Sequence, residues 1–257
     1  MTSKEPSVYD LIIESHLGLE RQGPGSPEVI AKALNFLDGK EKFTQAADLG
    51  CGTGGQTRTL AQHIGGNVVG VDICPDFIAR FNEKAEKSGL GKRLQGMAAS
   101  ILELSFPQGS LDLIWSEGVI DSIGFEKGLT YWYDFLKQDG YIAVTCPSWL
   151  TAERPAEIEK FWQDAVGGLD TVADNTAILQ KAGYDFIASF VLPETCWTEN
   201  YFVPRKAAEK ELLKKYAGSK TAAAYAADEK YEAELYEKYK RYYGYVFYIG
   251  KKCETLP

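Results

Sequence analysis

Length, composition and charge exclude several classes of protein. The chain has 257 residues, of which 45% are hydrophobic and 25% charged, as in an ordinary globular protein with one large domain. Its formal net charge of −8 disfavours nonspecific binding to the phosphates of nucleic acids, so no nucleic acid partner is expected. Because no apolar run approaches about 18 residues, the sequence also predicts no membrane span.

The cysteines and histidines argue against a disulfide framework and a metal site. The five cysteines, at positions 51, 74, 146, 196 and 253, include no CxxC pair, and their number is odd. The chain has only two histidines, so no metal site is expected. The first ten residues, MTSKEPSVYD, lack a basic start followed by an apolar stretch, which predicts no signal peptide. These features predict reduced thiols in a cytoplasmic protein.

The first 40 residues predict two helices. Apolar residues recur on one face of a helix over 7–20, and Pro27 can start a second helix that runs to Leu37. The RQGPGSP segment at 21–27 has the composition of a turn and separates them.

Between residues 41 and 150, predicted strands alternate with predicted helices. This alternation is typical of a parallel sheet with helices on both faces and right-handed crossovers. The predicted strands are 43–49, 67–73, 92–99, 111–116 and 141–146, and the predicted helices are 55–64, 75–88 and 125–137, the last ended by Gln138-Asp139-Gly140.

After Pro147 the alternation loosens. The predicted elements here are helices at 153–166 and 174–182 and strands at 184–192 and 244–249. Residues 193–243 are too long for a simple connection and predict a helical insertion, with two helices broken near 217–219. We therefore expect a single α/β domain over 1–257, with N-terminal helices at 1–40, a core at 41–150 and this insertion.

A glycine-rich segment, AADLGCGTGGQ at 46–56, follows the first predicted strand. Gly50, Gly52 and Gly55 satisfy the GxGxxG spacing of a dinucleotide site, where glycine permits a sharp turn and close approach of a ligand. Asp72 ends the next predicted strand, 20 residues after Gly52, which suits a carboxylate that binds ribose hydroxyls. The alternatives are a purely structural turn and a carboxylate that only caps the next helix.

Charge distinguishes two adenosine ligands that could occupy such a turn. A pyrophosphate prefers backbone amides and a helix N-terminus, whereas Asp48 stands two residues before Gly50. A carboxylate there better suits a cation, since two unit charges about 4 Å apart interact by roughly 4 kcal/mol at an effective dielectric of 20. The sequence therefore favours S-adenosylmethionine, with S-adenosylhomocysteine as its product, over NAD.

The segment DLGCGTGG resembles the first motif, D/E-x-G-x-G-x-G, of class I S-adenosylmethionine-dependent methyltransferases that act on small molecules. The resemblance spans about residues 25–150, and it implies a Rossmann-like, doubly wound seven-stranded sheet, mostly parallel, with an antiparallel last strand. Further segments that resemble later motifs are VDI at 71–73, AASILELSF at 98–106, LDLIWSEG at 111–118 and LKQDGYIAVTCPSW at 136–149.

The same resemblance implies a set of cofactor-binding residues. Asp72 would hold the ribose hydroxyls and Ile73 would pack on the adenine. Ser100 stands where the family commonly has an acid that binds the adenine amino group, and its hydroxyl or the backbone amide of Ile101 could replace that acid. The segment Arg21–Ser26 is expected over the methionine end. The full predicted set is Asp48, Gly50, Gly52, Gly54, Asp72, Ile73, Ser100, Ile101 and Ser116.

The methyl acceptor is expected beyond the carboxyl ends of the fourth and fifth strands. Glu117 is the first catalytic candidate, to orient or deprotonate the acceptor, and the alternative is a surface carboxylate that caps a turn. His16 is the second candidate, and the alternative is a structural histidine. Trp197, Tyr201 and Phe202 either line a small-molecule pocket or pack the core of the insertion.

The sequence thus predicts methyl transfer to a small organic acceptor. An NAD-dependent oxidoreductase that uses the GxGxxG spelling and a nonenzymatic cofactor-binding protein are the alternatives. Methylation of DNA or RNA is disfavoured by the acidic charge and by WSEGVI at 115–120, where an N/D-P-P-Y/F segment would stand.

Overall fold

The computed structural model describes residues 5–253, which contain one seven-stranded sheet. The strands are β1 Gln45–Leu49, β2 Asn67–Asp72, β3 Leu94–Ala98, β4 Leu111–Glu117, β5 Leu136–Trp149, β6 Tyr184–Val191 and β7 Tyr243–Lys252. Their order in the sheet is β3-β2-β1-β4-β5-β7-β6. The first five strands are parallel to one another, whereas β7 is antiparallel to both β5 and β6. The predicted Rossmann-like sheet with an antiparallel last strand is confirmed.

Helices lie between the strands, as the alternating pattern predicts. They are α1 Val8–Leu17, α2 Pro27–Leu34, α3 Gly55–His63, α4 Pro75–Lys87, α5 Phe125–Tyr133, α6 Ala156–Val166, α7 Val172–Lys181, α8 Glu194–Trp197, α9 Val203–Lys215 and α10 Lys220–Tyr239. Pro27 and Pro75 each occupy the first turn of a helix, where the missing N–H has no intrahelical partner to lose. Within residues 5–253, no helix is both long and apolar enough to cross a membrane.

The central strands are buried on both faces, so each strand contributes to two hydrophobic cores. Trp115 of β4 packs in the core on one face, and Ile114, the preceding residue, packs in the core on the other. Because successive side chains of a strand point to opposite faces, near-continuous apolar runs are required here.

The predicted helix over 125–137 is wrong in its last turn. Helix α5 ends at Tyr133 and β5 begins at Leu136, so residues 138–140 lie inside the strand. Asp139 there has a φ of 63°, and the pairing of β4 with β5 shifts register at this point. An Asp-Gly pair supplies the backbone freedom that a helix end needs, and an irregularity in a strand needs the same freedom.

Helices α8, α9 and α10 form the predicted insertion between β6 and β7. A five-residue π-helical turn, Thr198–Phe202, joins α8 to α9. Trp197 is only 2% exposed and stacks on Tyr236, with ring centroids 4.5 Å apart, and it meets Tyr245 at 4.8 Å. These rings therefore pack the core of the insertion instead of facing an open pocket.

A buried arginine organises the polar interior of the insertion. Arg205 is 2% exposed and donates to the Tyr201 hydroxyl at 3.0 Å. Its guanidinium lies 2.6 Å from a carboxylate oxygen of Glu232, 2.8 Å from one of Glu229 and 3.2 Å from one of Glu209. One cation thus compensates three carboxylates.

We expect the substitution Arg205→Met to lower the free energy of unfolding by about 3–5 kcal/mol, because it leaves buried carboxylates without their cation. Urea denaturation would measure the change. The matched control Lys206→Met alters an exposed neighbour and should stay within about 0.5 kcal/mol of the original protein. A loss below about 1 kcal/mol for Arg205→Met would show that the cluster behaves like exposed ion pairs.

Candidate functional site

A cavity of about 150 Å³ lies at the carboxyl ends of β1, β2 and β4. It lies under residues 19–26, which link α1 to α2 and are called the cap segment below. The residues that line the cavity are Arg21, Gln22, Gly23, Pro24, Gly50, Gly52, Gln56, Asp72, Phe77, Glu117, Gly118 and Val119. The structure therefore brings together two of the predicted glycines, the predicted ribose carboxylate and the first catalytic candidate.

The glycine turn between β1 and α3 needs glycine for two reasons. Gly50, Gly52 and Gly54 have φ values of 78°, 53° and 81°, which side chains disfavour. A Cβ on Gly52 would lie 2.2 Å from Oε1 of Gln22, so the cap segment approaches as closely as the backbone allows. Gly54 has a different neighbour, since its Cβ would lie 2.4 Å from the Phe81 ring. The first two glycines face the cavity, and the third serves packing.

Asp72 joins the ends of two strands to each other. One carboxylate oxygen accepts a hydrogen bond from the backbone N–H of Gly52, and the other accepts one from the N–H of Cys74, both at 2.9 Å. Cys74 is the residue before α4, so the helix-capping alternative describes part of what this side chain does. Burial raises the pKa of Asp72. Beside it, Ile73 is 72% exposed and presents an apolar surface at the rim.

Asp48 does not lie where it could contact a bound cation directly. It is completely buried beneath the turn, is not among the residues lining the cavity, and one of its oxygens accepts from the Thr57 hydroxyl. Its Oδ1 has no hydrogen-bond partner among the described residues. Burial raises the pKa of Asp48 to about 7.

An ion pair crosses the cavity between the cap segment and β4. Arg21 donates from Nη2 to one oxygen of Glu117, and the other oxygen accepts from the Trp115 indole at 2.7 Å. Both side chains of the pair are buried, so Glu117 is not a surface carboxylate. The Nε of Arg21 is also buried and has no partner within residues 5–253. The sequence could not reveal this pairing, because the two residues are 96 positions apart.

The cap segment is fixed at both ends. The Gln22 side chain accepts from the backbone N–H of Thr53 at 2.8 Å and donates to the Thr53 hydroxyl and to the carbonyl of His16, both at 3.1 Å. At the other end, Asn200 of the insertion donates to the carbonyl of Gly25 at 2.9 Å. The cap segment therefore connects the glycine turn to the helical insertion.

The ring of His16 does not line the cavity. Its Nδ1 lies 2.9 Å from the carbonyl of Ile12, its Nε2 lies 3.4 Å from the Tyr201 hydroxyl, and burial lowers its pKa. This geometry is that of a buried structural histidine between α1 and the insertion.

The remaining predicted residues lie around the cavity and not on its wall. Ser100 follows β3, and the adjacent Ala99 donates its N–H to the carbonyl of Asp72 at 3.0 Å, which brings this segment alongside β2. The carbonyl of Ile101 accepts from the Trp132 indole at 2.9 Å. Ser116 is buried and donates to a β1 carbonyl at 2.8 Å, so it ties β4 to β1.

Comparison with known proteins relates the chain to methyltransferases. A family model described as a methyltransferase domain matches residues 46–140. The 2-methyl-6-phytyl-1,4-hydroquinone methyltransferase of Synechocystis is 34% identical over 110 residues, which cover 39% of this chain and 34% of that protein. The chloroplastic tocopherol O-methyltransferase of Arabidopsis thaliana is 32% identical over 110 residues, 39% of this chain and 32% of that protein. The chain thus spans about a third of the length of these relatives.

A solved structure extends the similarity to nearly the whole fold. The S-adenosylmethionine-dependent methyltransferase of Geobacter sulfurreducens, in complex with S-adenosyl-L-homocysteine, superposes with a TM-score of 0.80 at 17% identity and covers 95% of this chain and 97% of that one. The resemblance to a methyltransferase domain is confirmed. Residues 46–140 contain that domain, and the fold around it is shared with a solved S-adenosylmethionine-dependent methyltransferase.

Proposed function

We propose that this protein transfers a methyl group from S-adenosylmethionine to a small organic acceptor. The observation that carries the proposal is one cavity, at the carboxyl ends of β1, β2 and β4, that holds the glycine turn, Asp72 and the Arg21–Glu117 pair. The methyltransferase domain that matches residues 46–140 argues against the NAD-dependent alternative. When bound, S-adenosylmethionine supplies a methyl carbon activated by its sulfonium.

The nucleoside end of the cofactor fits the side of the cavity at the end of β2. Each oxygen of Asp72 accepts one backbone N–H and keeps a second lone pair for a ribose hydroxyl. The exposed side chain of Ile73 offers an apolar surface for the adenine. We propose that Ser100 and Ile101, which lie alongside Asp72, contact the edge of the adenine.

The methionine end of the cofactor fits the ion pair. Its carboxylate and ammonium carry the same charges as Glu117 and Arg21, so we propose that they replace the pair: Arg21 binds the carboxylate, and Glu117 binds the ammonium. The cavity, about 150 Å³, is below the roughly 300–1,000 Å³ of ligand pockets, so the cap segment must move to admit the cofactor.

We propose that Asp48 and His16 act as supports. Asp48 holds α3 through Thr57 directly beneath the turn, and its charge acts on the site from below. His16 places the C-terminal end of α1 against the insertion, and its carbonyl receives Gln22 of the cap segment. Ser116 and Gly54 support the same turn by packing.

The acceptor follows from the two relatives, which are named for a hydroquinone and a tocopherol. We propose an acceptor of this kind, a small organic molecule with an ionisable hydroxyl. We also propose that the chain acts as one domain, since β6 and β7 on either side of the insertion lie in the same sheet. We propose the cytoplasm as its location, because all five cysteines are free, which supports a reducing compartment.

The substitution Asp72→Ala should weaken binding of S-adenosylhomocysteine at least about tenfold, because it removes the charged acceptor for the ribose hydroxyls. Isothermal titration calorimetry would measure the dissociation constant. Asp76→Ala removes an exposed carboxylate from the first turn of α4 and should change it less than about twofold. Equal effects of the two substitutions, or no heat from the unaltered protein, would contradict the proposal.

The substitution Arg21→Met should reduce the preference for S-adenosylhomocysteine over 5′-methylthioadenosine by about tenfold or more, since only the former has a carboxylate for Arg21. Competition titrations would give the ratio of the two dissociation constants. The double substitution with Glu117→Gln tests whether an unpaired Glu117 causes the effect. It should lower the preference at least as far as Arg21→Met, because 5′-methylthioadenosine also lacks the ammonium that Glu117 binds. An unchanged ratio would rule out this role of Arg21.

The substitution Asp48→Asn should change how stability depends on pH. Asp48 has a higher pKa in the folded protein, so the folded state binds more protons, and the ionised carboxylate lowers stability as pH rises from 3.8 to about 7. The stability of the protein relative to the Asp48→Asn variant should therefore fall across this window and stay constant above it. Urea denaturation at a series of pH values would measure it, and a difference independent of pH would contradict the assignment.

A further inference from the structure

We propose that Asp121, and not Glu117, takes the proton from the hydroxyl of the methyl acceptor. The inference rests on the proposed function and adds a catalytic residue to it. Asp121 belongs to the 3-10 turn Ile120–Ser122, four positions after Glu117, and the two residues that follow Glu117 both line the cavity.

Glu117 is already bonded to other side chains through both of its oxygens. One of its oxygens accepts from the Trp115 indole and the other from Arg21, so each oxygen already has a donor. In the proposed complex the ammonium of the cofactor replaces Arg21 as the second donor, so Glu117 still holds the cofactor and not the acceptor.

Asp121 has the opposite surroundings. Its Oδ1 is enclosed by protein and has no hydrogen-bond partner among residues 5–253. An enclosed carboxylate oxygen without a donor is costly, and such a group is satisfied when a ligand supplies an O–H or N–H. Burial also raises the pKa of Asp121, which makes its carboxylate a stronger base than an exposed one.

The turn that carries Asp121 packs against β5, near the carboxyl ends of β4 and β5 where the acceptor is expected. The charge of Asp121 also raises the pKa of Cys146 in β5 and of Tyr245 in β7. A Cβ on Gly118 would lie 3.5 Å from the Tyr245 hydroxyl, so that ring packs next to a glycine that lines the cavity. Burial raises the pKa of Cys146 and of Tyr245 well above their usual values, so both stay neutral beside the carboxylate.

The proposed step conserves atoms and charge. The acceptor hydroxyl gives its proton to the Asp121 carboxylate, and the acceptor oxygen forms the new bond to the methyl carbon. The bond between that carbon and sulfur breaks, and its electron pair stays on sulfur. Asp121 then releases the proton to water. A general base of this kind contributes about 10²–10⁴-fold to a rate.

The first test is a titration of bound 4-nitrophenol, which is colourless when protonated and yellow when ionised. The measured quantity is the pH at which bound 4-nitrophenol turns yellow, with S-adenosylhomocysteine also bound. This pH should be about one unit or more higher in the original protein than in Asp121→Asn, because a nearby carboxylate disfavours the phenolate. Glu126→Gln is the matched control, since it removes an exposed carboxylate on α5 and should behave like the original protein.

Two results of this titration would overturn the proposal. One is the same transition in the original protein and in Asp121→Asn, and the other is no binding of 4-nitrophenol at millimolar concentration while S-adenosylhomocysteine still binds. Failure of S-adenosylhomocysteine to bind would instead overturn the proposed function itself, so the two failures are distinguishable.

The second test is transfer of radiolabelled methyl groups to hydroquinone and to 4-nitrophenol. With hydroquinone, Asp121→Asn should lower the rate at neutral pH about a hundredfold and remove the decline of the rate toward acidic pH. With 4-nitrophenol, which ionises without a base in mild alkali, the two proteins should approach the same rate. Equal losses with both acceptors, or no transfer to either, would contradict a role in proton removal.

Discussion

The site depends on the close approach of the cap segment to the glycine turn. Gln22 fills the space where a side chain at Gly52 would lie, and its amide bonds to Thr53 of the same turn. This contact places Arg21 opposite Glu117, so the cavity is defined by chain segments from the N-terminus and from the middle of the sheet. Without Gly52, the backbone of the turn could not accept this neighbour.

Burial sets the roles of the carboxylates around the cavity. Asp48 lies beneath the turn without exposure, Asp72 is shared between two backbone amides, and Glu117 is held by two donors. Asp121 has an enclosed oxygen without a donor. Burial and hydrogen bonding therefore differ among these four carboxylates, so each can take a different part in support, binding or catalysis.

The helical insertion is connected to the cofactor side by direct bonds. Arg205 binds the Tyr201 hydroxyl, which approaches His16 of α1, and Asn200 from the same π-helical turn binds Gly25 of the cap segment. A π-helical turn rotates successive side chains away from the α-helical positions, which lets adjacent residues serve two separate contacts. Movement of the cap segment must therefore involve the insertion.

The sequence alone determined the alternation of strands and helices, the glycine turn and the position of Asp72. These follow from local periodicity, from glycine and from spacing along two consecutive strands. It could not determine that residues 138–140 continue a strand, because the backbone freedom of an Asp-Gly pair is also typical of the end of a helix. Only the tertiary structure decided that Arg21 meets Glu117, that Asp48 is covered and that Asp121 is enclosed. These features depend on contacts between distant segments and on burial, and neither is encoded in any single stretch of the chain.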